Sequence, residues 1–322
     1  MIKEPWIGEP TPIQYLGKLS GGQDIFMKRD DLLGFSFGGN KCRIGMAFLE
    51  DMEKQGGNFM VSYGSSGSNL NRTMAALCKS KNIPCLIMVA EEEGEEACTF
   101  NRQIAKSAGA EQVVCKKTNV ADAVGQVLEE LRGRGYKPYY LYGNEQGRGN
   151  EAAAREAYIR AYREIAGWEK DRGVEFTHIF HASGTGMTQG GLVAGKRQAG
   201  GREEIIGISV ARDAQRGTDA VRRYAGDGPE EIRFEADYRC GGYGLYDSFV
   251  EEIIEQMMNS HGIALDPTYT GKAYAGMERW LKRYGTGRER VLFIHTGGMP
   301  LYFDYLNRKR AEYAKGKGTQ AI

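Results

Sequence analysis

The chain has 322 residues, 41% of them hydrophobic, enough for a large buried core in one big domain or two intimate ones. Lysine plus arginine number 43 against 42 acidic residues, a net charge of +1, and the aromatics do not interleave with a basic stripe, so neither nucleic acid nor a membrane surface is an expected partner. The six cysteines (Cys42, Cys78, Cys85, Cys98, Cys115, Cys240) form no CxxC pair and no metal-ligand spacing with histidine, no apolar run reaches membrane-spanning length, and "MIKEPWIGEPTPIQYLG" is broken by prolines and charges, so the expectation is a cytoplasmic protein with reduced thiols and no metal.

The first predicted strand is "DIFMKR", Asp24 to Arg29. After it, "FGGNKCR" (Phe37 to Arg43) sets two glycines and an asparagine before Lys41, which presents an amine at a tight turn. Most lysines are solvated. One held at a cleft edge loses hydration, its pKa falls, and the free amine can condense with an aldehyde. A second strand, "NFMVSYG" (Asn58 to Gly64), runs through "YGSSGSNLNR" (Tyr63 to Arg72) into the helical pattern "NRTMAALCKSK". Ser68 or Asn69 caps that helix, or these hydroxyl and amide groups anchor an anionic or phenolic group at the strand's carboxyl end.

Strands "CLIMVA" (Cys85 to Ala90) and "EQVVCK" (Glu111 to Lys116) follow, then the helical patterns "DAVGQVLEELRGR" and "NEAAAREAYIRAYREIAG". The strand "THIFHAS" (Thr177 to Ser183) leads into "ASGTGMTQGGLVAG", with a helix predicted from near Thr188. Gly184, Thr185, Gly186 and Met187 can aim backbone N–H groups inward with a helix N-terminus behind them, the arrangement that cradles phosphate. Taken alone, the same loop reads first as an ordinary Gly-rich βα turn. It is no Walker loop, for no Lys-Ser/Thr follows the glycines, and a GxGxxG dinucleotide signature on the first turn is absent. The last strands are "EIIGISVA" (Glu204 to Ala211) and "RVLFIHTGG" (Arg290 to Gly298), the latter closing in "HTGGMP".

Apolar, β-branched strands alternating with helices imply a parallel sheet covered on both faces. Ligands in such sheets sit beyond the strands' carboxyl ends, here the loops after Arg29, Gly64, Ser183 and Gly298. A phosphate cradle, a lysine nucleophile and several strand-end loops together indicate a phosphorylated aldehyde cofactor, pyridoxal 5'-phosphate.

The ordered motifs "TPIQYLGKLS…IFMKRDDLLGFSFGGNKCR", "GSNLNR", "GTGMTQGG", "DPTYTGKAYAGM" and "HTGGMP" resemble the fold-type II pyridoxal-phosphate enzymes, within them the D-cysteine desulfhydrase and aminocyclopropanecarboxylate deaminase branch, from Thr11 to Pro300. The resemblance implies an α/β fold like the tryptophan synthase β-subunit. That fold has two open, twisted, mostly parallel sheets with flanking helices. Residues 1–47 plus 160–322 would form a larger domain and 48–159 a smaller one, with the cofactor in the cleft between them. It implies that Lys41 carries the cofactor and shuttles protons, that Asn69 meets its phenolic oxygen, and that Gly184, Thr185, Gly186, Met187 and Thr188 hold its phosphate. Ser68, Tyr243 and Tyr269 would face a small amino-acid substrate, though each tyrosine equally fits a core residue with a satisfied hydroxyl. Relatives of this kind are commonly dimers, so the resemblance also implies a homodimer as the expected assembly.

Two departures fall where substrate is read: Leu70 replaces a polar residue, and "YLYGNEQGRGNEA" replaces a Ser-Asn-containing stretch. Arg148 in that stretch would meet an acidic side chain or simply be solvated. The deaminases of the branch carry a glutamate directly after the tyrosine of "DPTYTGKA", where this chain has Thr270. A hydroxyl from Thr270 or Thr296 leaves the ring nitrogen less electron-hungry, which suits β-elimination better than ring opening. The expected activity is therefore elimination of a β-substituent to a 2-oxo acid and ammonia. Aminocyclopropanecarboxylate deamination, lyase action on cysteate or diaminopropionate, and racemisation are the alternatives. A cofactor-binding protein without turnover would not need Lys41, Ser68 and the tyrosines together.

Overall fold

The computed structural model describes residues 9–91, 99–229 and 231–317; Cys98 lies outside them. Ten strands are present among these residues: β1 Ile13–Lys18, β2 Asp24–Lys28, β3 Phe59–Gly64, β4 Cys85–Ala90, β5 Glu111–Cys115, β6 Pro138–Tyr140, β7 His178–Ser183, β8 Glu204–Ser209, β9 Arg233–Glu235 and β10 Arg290–Ile294. They form a six-stranded sheet ordered β1-β2-β10-β7-β8-β9 and a four-stranded sheet ordered β5-β4-β3-β6. Every pairing is parallel except β1 with β2. The helices are α1 Asn40–Lys54, α2 Asn69–Ser80, α3 Phe100–Ser107, α4 Val120–Gly133, α5 Glu151–Arg172, α6 Met187–Ala199, α7 Ala214–Ala225, α8 Ser248–His261, α9 Thr270–Tyr284 and α10 Met299–Lys317. None is long and apolar enough to cross a membrane.

Strand alternation explains the layering. In β10, Leu292 and Ile294 join the core shared by both sheets, while Val291 and Phe293 face a second core under α8 and α9. In β3, Met60 faces the shared core, while Phe59 and Val61 pack with Val124, Leu128 and Leu131 of α4. Residues of α1, α2, α5 and α6 fill the shared core. Burying each large aliphatic or aromatic side chain contributes about 1.5–3 kcal/mol, and because both faces of these strands do so, their sequences read as unbroken apolar runs.

Seven strands fall where the sequence predicts them; β1, β6 and β9 are additional. β1 is a half-exposed edge with a register shift between Tyr15 and Gly17, and β6 and β9 are three residues long, so none carries an apolar run.

An ion cluster lies beneath α1. Arg43 donates to both oxygens of Asp30 (3.2 and 3.0 Å) and to both oxygens of Glu164 on α5 (2.6 and 2.8 Å). Lys28 of β2 donates to Glu164 at 2.6 Å, and the Tyr158 hydroxyl donates to Asp30 at 2.7 Å. Burial alone would raise the Asp30 carboxyl; the Arg43 and Lys28 charges outweigh it and hold that carboxyl below its usual range. The cluster ties the start of α1 to β2 and α5.

Candidate active site

The carboxyl ends of β3, β7, β8 and β10 and the first turn of α1 enclose a cavity of about 240 Å³. Of the predicted site residues, Lys41, Ser68, Asn69, Gly184, Thr185, Gly186, Thr188, Tyr243, Tyr269 and Thr296 line it. Met187 and Thr270 do not.

Lys41 stands in the first turn of α1 rather than on the preceding turn. Gly39 makes the entry at φ 96°, and a Cβ there would lie 2.7 Å from the Thr296 carbonyl oxygen, so the position takes only glycine. Gly39 N–H donates to the Asp30 carbonyl (2.8 Å) and Asn40 N–H to the Thr296 carbonyl (3.1 Å), clamping the helix start between two loops. Lys41 and Arg43 are two residues apart, about 200° around the helix, so one faces the cavity and the other the ion cluster. The Lys41 amine has no hydrogen bond or ion pair among the described residues, and burial lowers its pKa to about 8.

The turn after β7 has the geometry of an anion cradle. Gly186 is the N-cap of α6 at φ 90°, and no side chain caps the helix. A Cβ on Gly186 would fall 2.6 Å from the Ala220 carbonyl carbon. The first N–H groups of α6 therefore lack intrahelical partners and, among the described residues, side-chain partners, and with the helix dipole they favour negative charge. Asn40 Nδ2 donates to Thr188 Oγ1 at 2.9 Å, which leaves the threonine's own proton for another acceptor. The Met187 side chain is buried in the core, so only its main chain belongs to the turn.

Ser68 is the N-cap of α2, its oxygen accepting from Asn71 N–H at 3.2 Å. Asn69 Oδ1 accepts from Asn101 Nδ2 (3.1 Å) and Arg72 Nη2 (3.4 Å). With its oxygen doubly engaged, Asn69 has its amide NH₂ left for the cavity. Asn101, whose Nδ2 also donates to the Gly67 carbonyl at 2.9 Å, was not singled out from the sequence.

At the other wall, Tyr269 donates to the Tyr243 hydroxyl at 3.2 Å. Burial, then the neighbouring Tyr243, pushes the Tyr269 phenol well above its ordinary value, so it remains a hydroxyl. Asp266 organises this wall: its Oδ1 accepts from the N–H groups of Thr268 (2.9 Å) and Tyr269 (2.8 Å). Its Oδ2 accepts from Thr270 N–H (3.1 Å) and the Thr270 hydroxyl (2.9 Å). The Thr270 hydroxyl thus turns back into the buried Asp266 turn rather than into the cavity. Lys272, fully buried, donates to the carbonyls of Val210 (3.0 Å) and Gly242 (2.7 Å). It thereby tethers the segment carrying Tyr243, in which Cys240, Gly241, Gly242 and Gly244 all have positive φ. His295 accepts from Gly297 N–H at Nδ1 (3.1 Å), so Nε2 carries the proton donated to the Ala264 carbonyl (2.9 Å).

Asn40, Tyr142 and Arg212 also line the cavity. Asn40 and Tyr142 lie within stretches already marked, "FGGNKCR" and "YLYGNEQGRGNEA". Arg212 follows β8, and the strand-end rule applied to that strand as well would have found it. Arg148, the arginine weighed from the sequence, is exposed and away from the cavity. Lys41 and Arg212 bring positive charge to the lining, and no described carboxylate joins them. An unpartnered amine and an uncapped helix N-terminus lining one cavity are a donor set that fits a phosphorylated aldehyde.

The sequence profile of the pyridoxal-phosphate dependent enzymes matches residues 7–297, and the chain belongs to that family. A Klebsiella pneumoniae protein named D-cysteine desulfhydrase is 30% identical over 93% of this chain and 94% of its own length. A Pyrococcus abyssi protein, provisionally named a 1-aminocyclopropane-1-carboxylate deaminase, is 31% identical over 94% and 92%. The crystal structure of an ACC deaminase homologue superposes with a TM-score of 0.82 at 29% identity, covering 94% of each chain. The fold is the α/β architecture of fold-type II pyridoxal-phosphate enzymes.

Proposed function

We propose that the chain is a pyridoxal-phosphate-dependent lyase that eliminates the β-substituent of a small amino acid, with D-cysteine as the leading substrate, to give a 2-oxo acid and ammonia. The observation that carries the reading is the unpartnered Lys41 amine facing the same cavity as the uncapped start of α6, with no described carboxylate in the lining. Bound there, pyridoxal phosphate supplies an electron sink for the charge that develops at the substrate α-carbon.

The residues divide the remaining work. The N–H groups of the 184–188 turn, with the hydroxyls of Thr185 and Thr188, would hold the phosphate; Met187 contributes only its main chain. Asn69, fixed with its NH₂ toward the cavity, would donate to the phenolic oxygen, and Thr296 would meet the ring nitrogen. The Lys41 amine would attach the cofactor and move the proton at the α-carbon; such a positioned group contributes about 10²–10⁴-fold. Ser68, Tyr243 and Tyr269 would orient the substrate as neutral hydroxyls. With no carboxylate facing the ring, electron withdrawal is moderate. A thiolate leaving group departs with its own electron pair and so demands less of the sink than ring opening does.

The strands of the four-stranded sheet fall within 48–159 and those of the six-stranded sheet outside it, so we take these as the two domains, with the cavity in their cleft. A cytoplasmic homodimer completes the reading, and sedimentation of the purified protein measures its subunit count. The deciding experiment is a panel of both enantiomers of cysteine, serine and diaminopropionate, with cysteate and aminocyclopropanecarboxylate, read for 2-oxo acid, ammonia and sulfide. Sulfide from D-cysteine should exceed every other product. Faster turnover of the cyclopropane would replace elimination with ring opening.

A further inference from the structure

Arg212 lies three residues beyond β8, and Ser209 at the end of β8 pairs in register with Ser183 at the end of β7. The two strand ends therefore set Arg212 beside the turn that begins at Gly184, and both line the cavity. The backbone here is fixed: the fully buried Ser209 hydroxyl donates to the Arg212 carbonyl (2.7 Å) and accepts from Ala211 N–H (3.2 Å).

The guanidinium has no hydrogen bond or ion pair among the described residues. The groups that act on it are the phenols of Tyr224 and Tyr142 and the like charges of Arg223 and Arg216. Its sequence neighbour Asp213 is engaged elsewhere, accepting from Arg216 N–H at 2.9 Å and lying 3.6 Å from Arg216 Nε. Arg43, by contrast, meets three carboxylates, those of Glu9, Asp30 and Glu164. A half-buried guanidinium is desolvated at a cost, and a partner inside the cavity offsets it. Five donors in a planar fork match carboxylate, sulfonate or phosphate.

We propose that Arg212 is a ligand-reading cation that takes an oxyanion inside the cavity. The inference rests on the cofactor reading of that cavity and adds a residue to it. Two sources share the chemistry: the phosphate monoester of the cofactor, and a carboxylate or sulfonate of the amino-acid substrate.

The test compares wild type with Arg212→Gln and Arg212→Lys, each checked for folding by thermal melting. Apo-protein is titrated with pyridoxal phosphate and with pyridoxal, following protein fluorescence. If the phosphate is the partner, Arg212→Gln raises the Kd for pyridoxal phosphate about tenfold or more while that for pyridoxal stays put. If the substrate is the partner, both Kd values hold. The KM for D-cysteine and the inhibition constant of cysteate then rise together for an α-carboxylate, or that of cysteate alone for a β-sulfonate. Arg212→Lys should recover part of the loss in each case. A folded Arg212→Gln protein with all four constants within twofold of wild type would overturn the proposal and leave the cofactor reading intact. A wild-type protein that binds neither aldehyde would overturn the cofactor reading and this one with it.

Discussion

Two groups of cations flank the start of α1, and they are built on opposite plans. Below the helix, Arg43 and Lys28 are met by Asp30, Glu164 and Glu9, with the hydroxyls of Tyr158 and Thr11 completing the set. Above it, Lys41 and Arg212 face a cavity with no described carboxylate. A buried cation with its anions in place fixes structure, because removing one partner strands the other. A half-buried cation without them is a site of unmet demand that an incoming ligand answers. The first group should therefore govern stability and the second chemistry.

The largest effect that would break this contrast is at Lys41. Lys41→Ala should abolish the visible absorbance of the cofactor-loaded protein and lower kcat by about 10³-fold or more, with unfolding free energy equal to or above that of wild type. A marked loss of stability instead would make Lys41 structural. The same residue yields a pH test on apo-protein. Because burial lowers the amine to about 8, competitive acetylation of Lys41 should rise with pH and level off above about 8. An ordinary lysine would go on rising past pH 10. The sign follows from the neutral amine being the nucleophile.

Next is Asp30. Asp30→Ala leaves Arg43 short of one carboxylate and Tyr158 without its acceptor, and should cost about 3–5 kcal/mol in urea unfolding. Its pH dependence has a definite sign. Since the folded carboxyl is held below its ordinary value, its contribution is present above the unfolded pKa and is lost as pH falls through the folded one. Equal stability of variant and wild type at neutral pH would remove the cluster's structural role.

How much of this was legible beforehand depends on what each feature is made of. Loops made of backbone were readable: "FGGNKCR" and "GTGMTQGG" need glycine where a Cβ would strike a carbonyl, and that demand is written in the local sequence. Features assembled from distant side chains were not. Asn101 reaches Asn69 from 32 residues away, and Glu164 reaches Arg43 across 121. Thr270 shows the limit of adjacency. It follows Tyr269 directly, yet it begins α9 with its hydroxyl bound to Asp266, while Tyr269 looks into the cavity. Arg212 carries no such local signal, because its strand ends without a glycine-rich signature.

A smaller effect sharpens the contrast at Lys272, a buried ammonium held by carbonyls rather than carboxylates. Its task is mechanical: it holds the Gly242 carbonyl and so the position of Tyr243. Lys272→Met should raise the substrate KM about tenfold, with a lesser change in kcat and an unshifted cofactor absorbance. A loss confined to kcat would mean that the ammonium acts on the chemistry itself and belongs with Lys41.

The smallest expected effect concerns Asn101, which carries no charge. Its Nδ2 donates to Asn69 Oδ1 and so, with Arg72, sets which end of the Asn69 amide meets the cavity. In Asn101→Ala one of the two donors is gone, and the Asn69 amide is freer to turn its oxygen inward. A donor toward the phenolic oxygen favours the ionised form of that oxygen, and an acceptor disfavours it. The pH midpoint of the cofactor's visible band should therefore move up, by about one unit or less, which corresponds to at most about 1.4 kcal/mol. Absorbance titration of the loaded variant reads this directly. Asn69→Ala provides the reference, since it removes the donor altogether and should shift the midpoint in the same direction by at least as much. A shift in Asn69→Ala with none in Asn101→Ala would mean that Arg72 alone orients the amide, placing a second guanidinium, after Arg212, in the service of the site.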